Sequence, residues 1–221
     1  KYEISKKLRR CNFRKTKGFS CLEIFKFIFL LVFSGKNLYR TLQSETDSGM
    51  PQKDTIYRFL NSCRYNWRKF LLTLSSTIIK ETIEPLKPHS WKNVLILDDS
   101  LYSRNRSKAV ELLARVRDHV EHKYVLGFRM LTLGWSDGNT FLPVAFSLLS
   151  SENEHNRLCG INQRLDKRTT GYKRRMESIK KSTEVMFDLL RQAQEHGIKA
   201  RYLLFDSWFA FPAIICKVRE H

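Results

Sequence analysis

At 221 residues the chain has room for one large domain or two small ones, and a hydrophobic content of 42% with 12% aromatics excludes wholesale disorder. It carries 40 basic against 22 acidic residues, a net charge of +18, which points to a polyanionic partner, nucleic acid before membrane. The most apolar segment, Leu22–Phe33, is interrupted by Glu23 and Lys26 and falls short of the roughly 20 apolar residues a bilayer span needs.

Residues 1–11, with Lys6, Lys7, Arg9 and Arg10, read as a basic arm. Ser20, followed three positions on by Glu23, has capping-box spacing and predicts a hydrophobic helix over Ser20–Val32, with Gly35 as its stop. A shorter helix is expected around Leu38–Leu42, then a polar loop over Gln43–Lys53. Asp54 is expected to cap Thr55–Asn61, where Ile56, Phe59 and Leu60 share one face while Tyr57 and Arg58 point elsewhere. Trp67–Ile83 fits another amphipathic helix, ended by Pro85 and Pro88. Residues 1–89 thus read as a small all-helical domain holding 18 basic against 7 acidic residues, suited to DNA binding. A helix-turn-helix around Leu38–Leu60 and a plain helical bundle both fit.

After the prolines the pattern changes. Val94–Ser100 is a short apolar run ending in Asp98, Asp99 and a hydroxyl, which predicts a strand buried on both faces with the acids where it leaves the core. Ser103–Val120 fits neither period cleanly. Tyr124–Trp135 and Thr140–Leu148 flank Ser136-Asp137-Gly138-Asn139, a hairpin signal. Ser150–Arg175 is polar and irregular, Met176–His196 predicts a helix closed by Gly197, and Ala200–Asp206 predicts a strand. Pro212 suits the start of a final helix through Arg219. This order predicts an α/β domain over residues 90–221 with a mixed central sheet and flanking helices.

Tyr202-Leu203-Leu204-Phe205-Asp206-Ser207 repeats the pattern of Val94–Ser100: apolar run, Asp, hydroxyl. Two strands side by side would bring Asp98 and Asp206 together, and paired carboxylates are the hard ligands that hold Mg²⁺ or Mn²⁺ for phosphodiester chemistry. An Asp at a strand end that merely caps the next turn is the alternative for each. Strand alternation sends Asp98 and Asp99 to opposite faces; Asp98 is taken as the ligand, with Ser100 on its side and Asp99 in a turn or supporting role. Arg104, Arg106 and Lys108 follow the first acid closely, and Arg168, Lys173, Arg174 and Arg175 form a second basic stretch; with Arg58, these are the candidate DNA contacts. Trp208 and Phe209 either pack under the site or stack on a base. The five cysteines show no Cys-x-x-Cys spacing and read as reduced thiols of a cytosolic protein.

Asp98-Asp99-Ser100, Glu111-Leu112-Leu113-Ala114-Arg115, the segment from Gly127 through Trp135 to Gly138, and Phe205-Asp206-Ser207-Trp208-Phe209 resemble bacterial insertion-sequence transposases of the DDE type. Lys53–Leu60 is similar to the helical N-terminal region of that group. The resemblance implies an RNase H-like catalytic core, with Asp98 and Asp206 as its first two acids on the first and fourth strands. It implies Mg²⁺-dependent hydrolysis at transposon ends and strand transfer into target DNA, on double-stranded DNA, by a homodimer in a cytoplasmic, nucleoid-associated complex. The family's third acid is a Glu on a later helix, and no such motif follows Asp206, so the chain is expected to be truncated at its C-terminus and weak or inactive alone. A stand-alone RNase H-like nuclease and a non-catalytic DNA-binding remnant of a transposon are the other two readings.

Overall fold

The computed structural model describes residues 2–35, 37–44, 49–86, 88, 91–118 and 121–220. They divide into two units, Lys1–Phe70 and Leu71–His221, so the division falls ahead of the Pro85–Pro88 segment.

The first unit is helical. Its N-terminal residues form a helix, α1 (Ile4–Arg10), in place of the expected arm, because Leu8 is anchored in the core at 1% exposure. α2 (Cys21–Ser34) opens with the expected capping box: Ser20 Oγ accepts from Glu23 N at 3.2 Å, Glu23 accepts from Ser20 N at 2.6 Å, and Gly35 closes the helix. α3 (Leu38–Ser44) follows, and residues 45–48 of the expected loop lie outside the described residues. α4 (Lys53–Leu60) starts two residues earlier than expected, with Gln52 at the cap position and Asp54 in the first turn. Ile56 and Phe59 are buried as expected, but Leu60 is exposed. The core of this unit is aromatic: Phe13 stacks on Tyr65 and meets Trp67 edge-on, both at 4.6 Å between ring centroids.

α5 (Trp67–Ile78) contains the division between the units. Leu72, midway along it, belongs to the second core, as does Ile79 in the π turn (Ile79–Ile83) that follows; a 3₁₀ turn (Glu84–Leu86) then holds Pro85.

The second unit is built on β1 (Val94–Ser103). Antiparallel β3 (Tyr124–Ser136) lies on one side of it and parallel β5 (Tyr202–Phe205) on the other. The far edge of β3 is shared by β2 (Ala114–Arg117) and β4 (Phe141–Leu149), both antiparallel. This mixed five-stranded sheet with flanking helices has the RNase H-like order, β4–β3–β1–β5. β1 runs well past its acids because β3 pairs with it as far as Ser103. There Gly127 faces Ser103, and a Cβ on Gly127 would stand 2.3 Å from the Tyr102 carbonyl oxygen, so no other residue fits this pairing. The hairpin turns where expected, with Asp137 Oδ1 accepting from Asn139 N and Thr140 N at 3.1 and 2.8 Å.

β2, in the stretch of ambiguous period, is a strand and not a helix. The polar stretch after β4 ends in α6 (Thr170–Ser178), and the chain breaks before α7 (Ser182–Glu195), so the single helix expected over Met176–His196 is two. α7 lays Val185, Met186, Leu189, Leu190 and Ala193 on Leu95, Leu97, Leu131, Leu133 and Trp135 of the sheet. Gly197, at φ +71, then takes the left-handed position that ends α7, and Ile198 N returns to Ala193 O at 3.0 Å. α8 (Pro212–Arg219) adds Ile214 and Val218 to the same core. The other face of β1 is less covered than expected. Val94 and Ile96 are only half-buried, and beyond β1 Leu204 is 52% exposed.

Candidate active site

The parallel register of β1 and β5 sets the site. Leu97 lies level with Phe205, so the next residues of both strands, Asp98-Asp99 and Asp206, reach the same height on neighbouring strands. β5 ends there and the chain enters a 3₁₀ turn, Ser207–Phe209. A cleft of about 490 Å³ opens at this point, lined by Asp99, Arg129, Asp206, Ser207, Trp208, Phe209 and Phe211.

Alternation along β1 sends the adjacent acids to opposite faces, as expected. Asp98 is exposed beside Ser100, whose Oγ donates to Asp98 Oδ2 at 2.7 Å, and it does not line the cleft. Asp99 shares the face of Leu95 and Leu97 and lines the cleft with Asp206. Its side chain is 7% exposed. Arg129 Nε donates to Asp99 Oδ1 at 3.1 Å, and Arg129 Nη2 stands 2.6 Å from Oδ2. The register accounts for this pair: Asp99 lies opposite Leu131, so Arg129, two residues along, is its diagonal neighbour on the same face.

Asp206 stands at the cap position of the 3₁₀ turn, yet its side chain makes no capping bond; the Phe209 N–H goes to its backbone carbonyl at 2.9 Å. The Asp206 carboxylate is exposed and accepts from Ser207 Oγ at 3.0 Å. Turn-capping by the side chain therefore does not account for this acid. The aromatic residues divide between two uses. Phe209 is buried at 1% and holds the turn to the core, whereas Trp208 and Phe211 are 54% and 56% exposed at the cleft.

The candidate DNA contacts also separate. Arg104, Arg106 and Lys108 are exposed on the loop after β1, where Arg104 lies over the Tyr102 ring at 4.4 Å. Arg58 is exposed on α4, and Lys173 on α6. Arg168 is exposed but paired with Asp166 at 3.1 Å. Arg174 lies over Phe146 at 5.6 Å, and Arg175 is half-buried and bound to Glu111, tying α6 to the segment before β2. For Arg174 and Arg175 the geometry gives an intramolecular use that the sequence did not disclose.

Asp99, Asp206 and the Ser207 hydroxyl offer only oxygen donors, a set that fits a hard cation such as Mg²⁺ or Mn²⁺. Among the described residues no group of three or more His, Cys, Asp or Glu side chains is arranged to hold a metal. No helix among the described residues is long and apolar enough to cross a membrane.

Residues 29–218 match the family described as DDE superfamily endonuclease. No curated protein and no solved structure matched the chain.

Proposed function

We propose, from the premise that the chain belongs to the DDE superfamily endonucleases, that it is a DNA transposase whose cleft hydrolyses a phosphodiester and directs the resulting 3′-hydroxyl onto target DNA. Family membership implies nuclease activity on DNA, and nucleases of this family generally use divalent metals. The observation that carries the reading is the meeting of Asp99 and Asp206 in one cleft at the end of two parallel strands. In this proposal Asp99 replaces Asp98 as the first acid, since Asp98 lies on the other face.

Asp99 and Asp206 would hold Mg²⁺ or Mn²⁺, which supplies Lewis-acid activation of the attacking oxygen and relief of charge on the phosphate. The protein's own part is positioning. β1 carries Asp99 on a paired strand, and the end of β5 delivers Asp206 beside it at the start of the 3₁₀ turn. Ser207 Oγ orients the Asp206 carboxylate, and Phe209 fixes the turn that carries both. Arg104, Arg106, Lys108, Arg168 and Lys173, with Arg58 in the helical unit, present charge for DNA backbone contacts of the salt-sensitive, sequence-independent kind.

The test is a joint cleavage and joining assay with Mg²⁺ or Mn²⁺, using a supercoiled plasmid and a labelled duplex with recessed 3′-hydroxyl ends. Nicking of the plasmid with covalent transfer of the label supports the transposase. Nicking without transfer supports a stand-alone nuclease. DNA binding with neither activity supports a non-catalytic DNA-binding protein and refutes the proposal.

A further inference from the structure

We propose that Arg129 is a resident counterion that must release Asp99 before a divalent cation is held there. This positioning role rests on the assignment of Asp99 and Asp206 as the metal-holding pair. The guanidinium faces both Asp99 oxygens: Nε donates to Oδ1 at 3.1 Å, and Nη2 stands 2.6 Å from Oδ2 as an ion-pair contact. The Asp99 side chain is 7% exposed and that of Arg129 29% exposed, so the carboxylate is nearly closed to solvent while the guanidinium keeps a route outward. The strand register, fixed by the β1–β3 ladder, enforces the pairing.

A carboxylate has roughly four lone-pair positions, and the Arg129 fork takes only part of them. Sharing is still unfavourable, because a cation on the remaining positions would stand a few ångströms from a full positive charge where water is scarce. Metal binding to Asp99 therefore has to displace the guanidinium. DNA offers it a second seat. A phosphate presents paired oxygens much as a carboxylate does, and the planar guanidinium grips either in the same forked way. Arg129 lines the same cleft as Asp206 and Ser207, so it moves to the scissile phosphate as the cation takes Asp99. Without DNA, Asp99 is neutralised from within and metal affinity is held down. With DNA it rises, and by reciprocity the metal strengthens DNA binding.

The experiment is calorimetric titration with Mn²⁺ of the DNA-free chain as wild type, R129Q, R129K, D99N and D206N, with a thermal melt for each. R129Q is expected to bind Mn²⁺ at least about fivefold more tightly than wild type. R129K, which keeps the charge but loses the fork, is expected to lie between them. A short blunt duplex is expected to tighten Mn²⁺ binding more in wild type than in R129Q. Equal or weaker binding by R129Q overturns the proposal, and weaker binding would assign Arg129 to orienting Asp99 for the ion. If R129Q does not fold, R129K decides on the same criterion: binding no tighter than wild type overturns it. Mn²⁺ binding unchanged in D99N and D206N is a distinct outcome, and it removes the metal-site assignment itself.

Discussion

Asp99→Asn is expected to lower metal-dependent DNA cleavage about a thousandfold or more, while Asp98→Asn leaves the rate within about threefold of wild type. The two acids are neighbours in sequence, so the contrast isolates the direction in which each side chain points. Asp99 lies in the cleft with Asp206 and is nearly buried, whereas Asp98 is exposed with Ser100. Asn keeps the shape of Asp and one acceptor for Arg129 but loses the charge a hard cation requires. The measurement is single-turnover plasmid nicking by each variant, beside a thermal melt that shows each is folded. Equal losses in the two variants, or a larger loss in Asp98→Asn, would return the first acid to Asp98 and place the chemistry on the open face of the sheet.

Trp135→Ala is expected to destabilise the second unit by about 3–5 kcal/mol. Trp135 is 0% exposed and packs in the core with the α7 residues that cover the sheet, and its Nε1 donates to Lys199 O at 3.3 Å. Alanine leaves a large cavity and an unmet carbonyl. Whole-domain stability is commonly only about 5–15 kcal/mol, so the change takes a large fraction of it. Urea unfolding followed by circular dichroism reads this as a fall in the midpoint of the second unit's transition. A loss below about 1 kcal/mol, the size of an ordinary surface substitution or less, would contradict the packing of α7 on the sheet.

Much of the fold was legible because its signals are local. The Ser20–Glu23 capping box, Gly35, the Asp137-Gly138 turn and Gly197 each solve a backbone problem within a few residues of where it arises. The apolar runs of β1 and β5 were legible for the same reason, and the order of elements then gave the α/β sheet. What local pattern could not give was which face of β1 would be covered. Alternation yields two faces of equal standing, and only the packing of α7, nearly a hundred residues on, decides that Leu95, Leu97 and Asp99 face inward. The break between α6 and α7 was hidden because Met176 and Ile179 keep a helical spacing with the apolar residues of α7, although Ile179 packs into a separate cluster with Leu112, Leu113 and Phe128.

The candidate site was half legible. Asp206 and the importance of the Asp98-Asp99 pair came from the repeated run of apolar residues, Asp and hydroxyl. Arg129 was missed, since its partner lies on another strand and nothing near it in sequence announces the pairing. One signal was present: Arg129 is a lone charge between Phe128 and Met130 in an otherwise apolar strand, and such a charge needs a partner. The resemblance of Gly127–Gly138 to transposases marked the segment without saying what Arg129 does there. Gly127 itself is explained by its close approach to the Tyr102 carbonyl.

Cutting of the backbone by bound Fe²⁺ tests most directly whether one cation is held between β1 and β5. Fe²⁺ accepts oxygen ligands as Mg²⁺ and Mn²⁺ do, and with peroxide and ascorbate it generates radicals that cut the chain beside the site. Two cuts are expected, one in β1 around Asp99 and one around Phe205–Ser207, both suppressed by excess Mg²⁺ and both lost in Asp99→Asn. Cutting at only one of these segments, or cutting that survives Asp99→Asn, would contradict a metal site shared by Asp99 and Asp206.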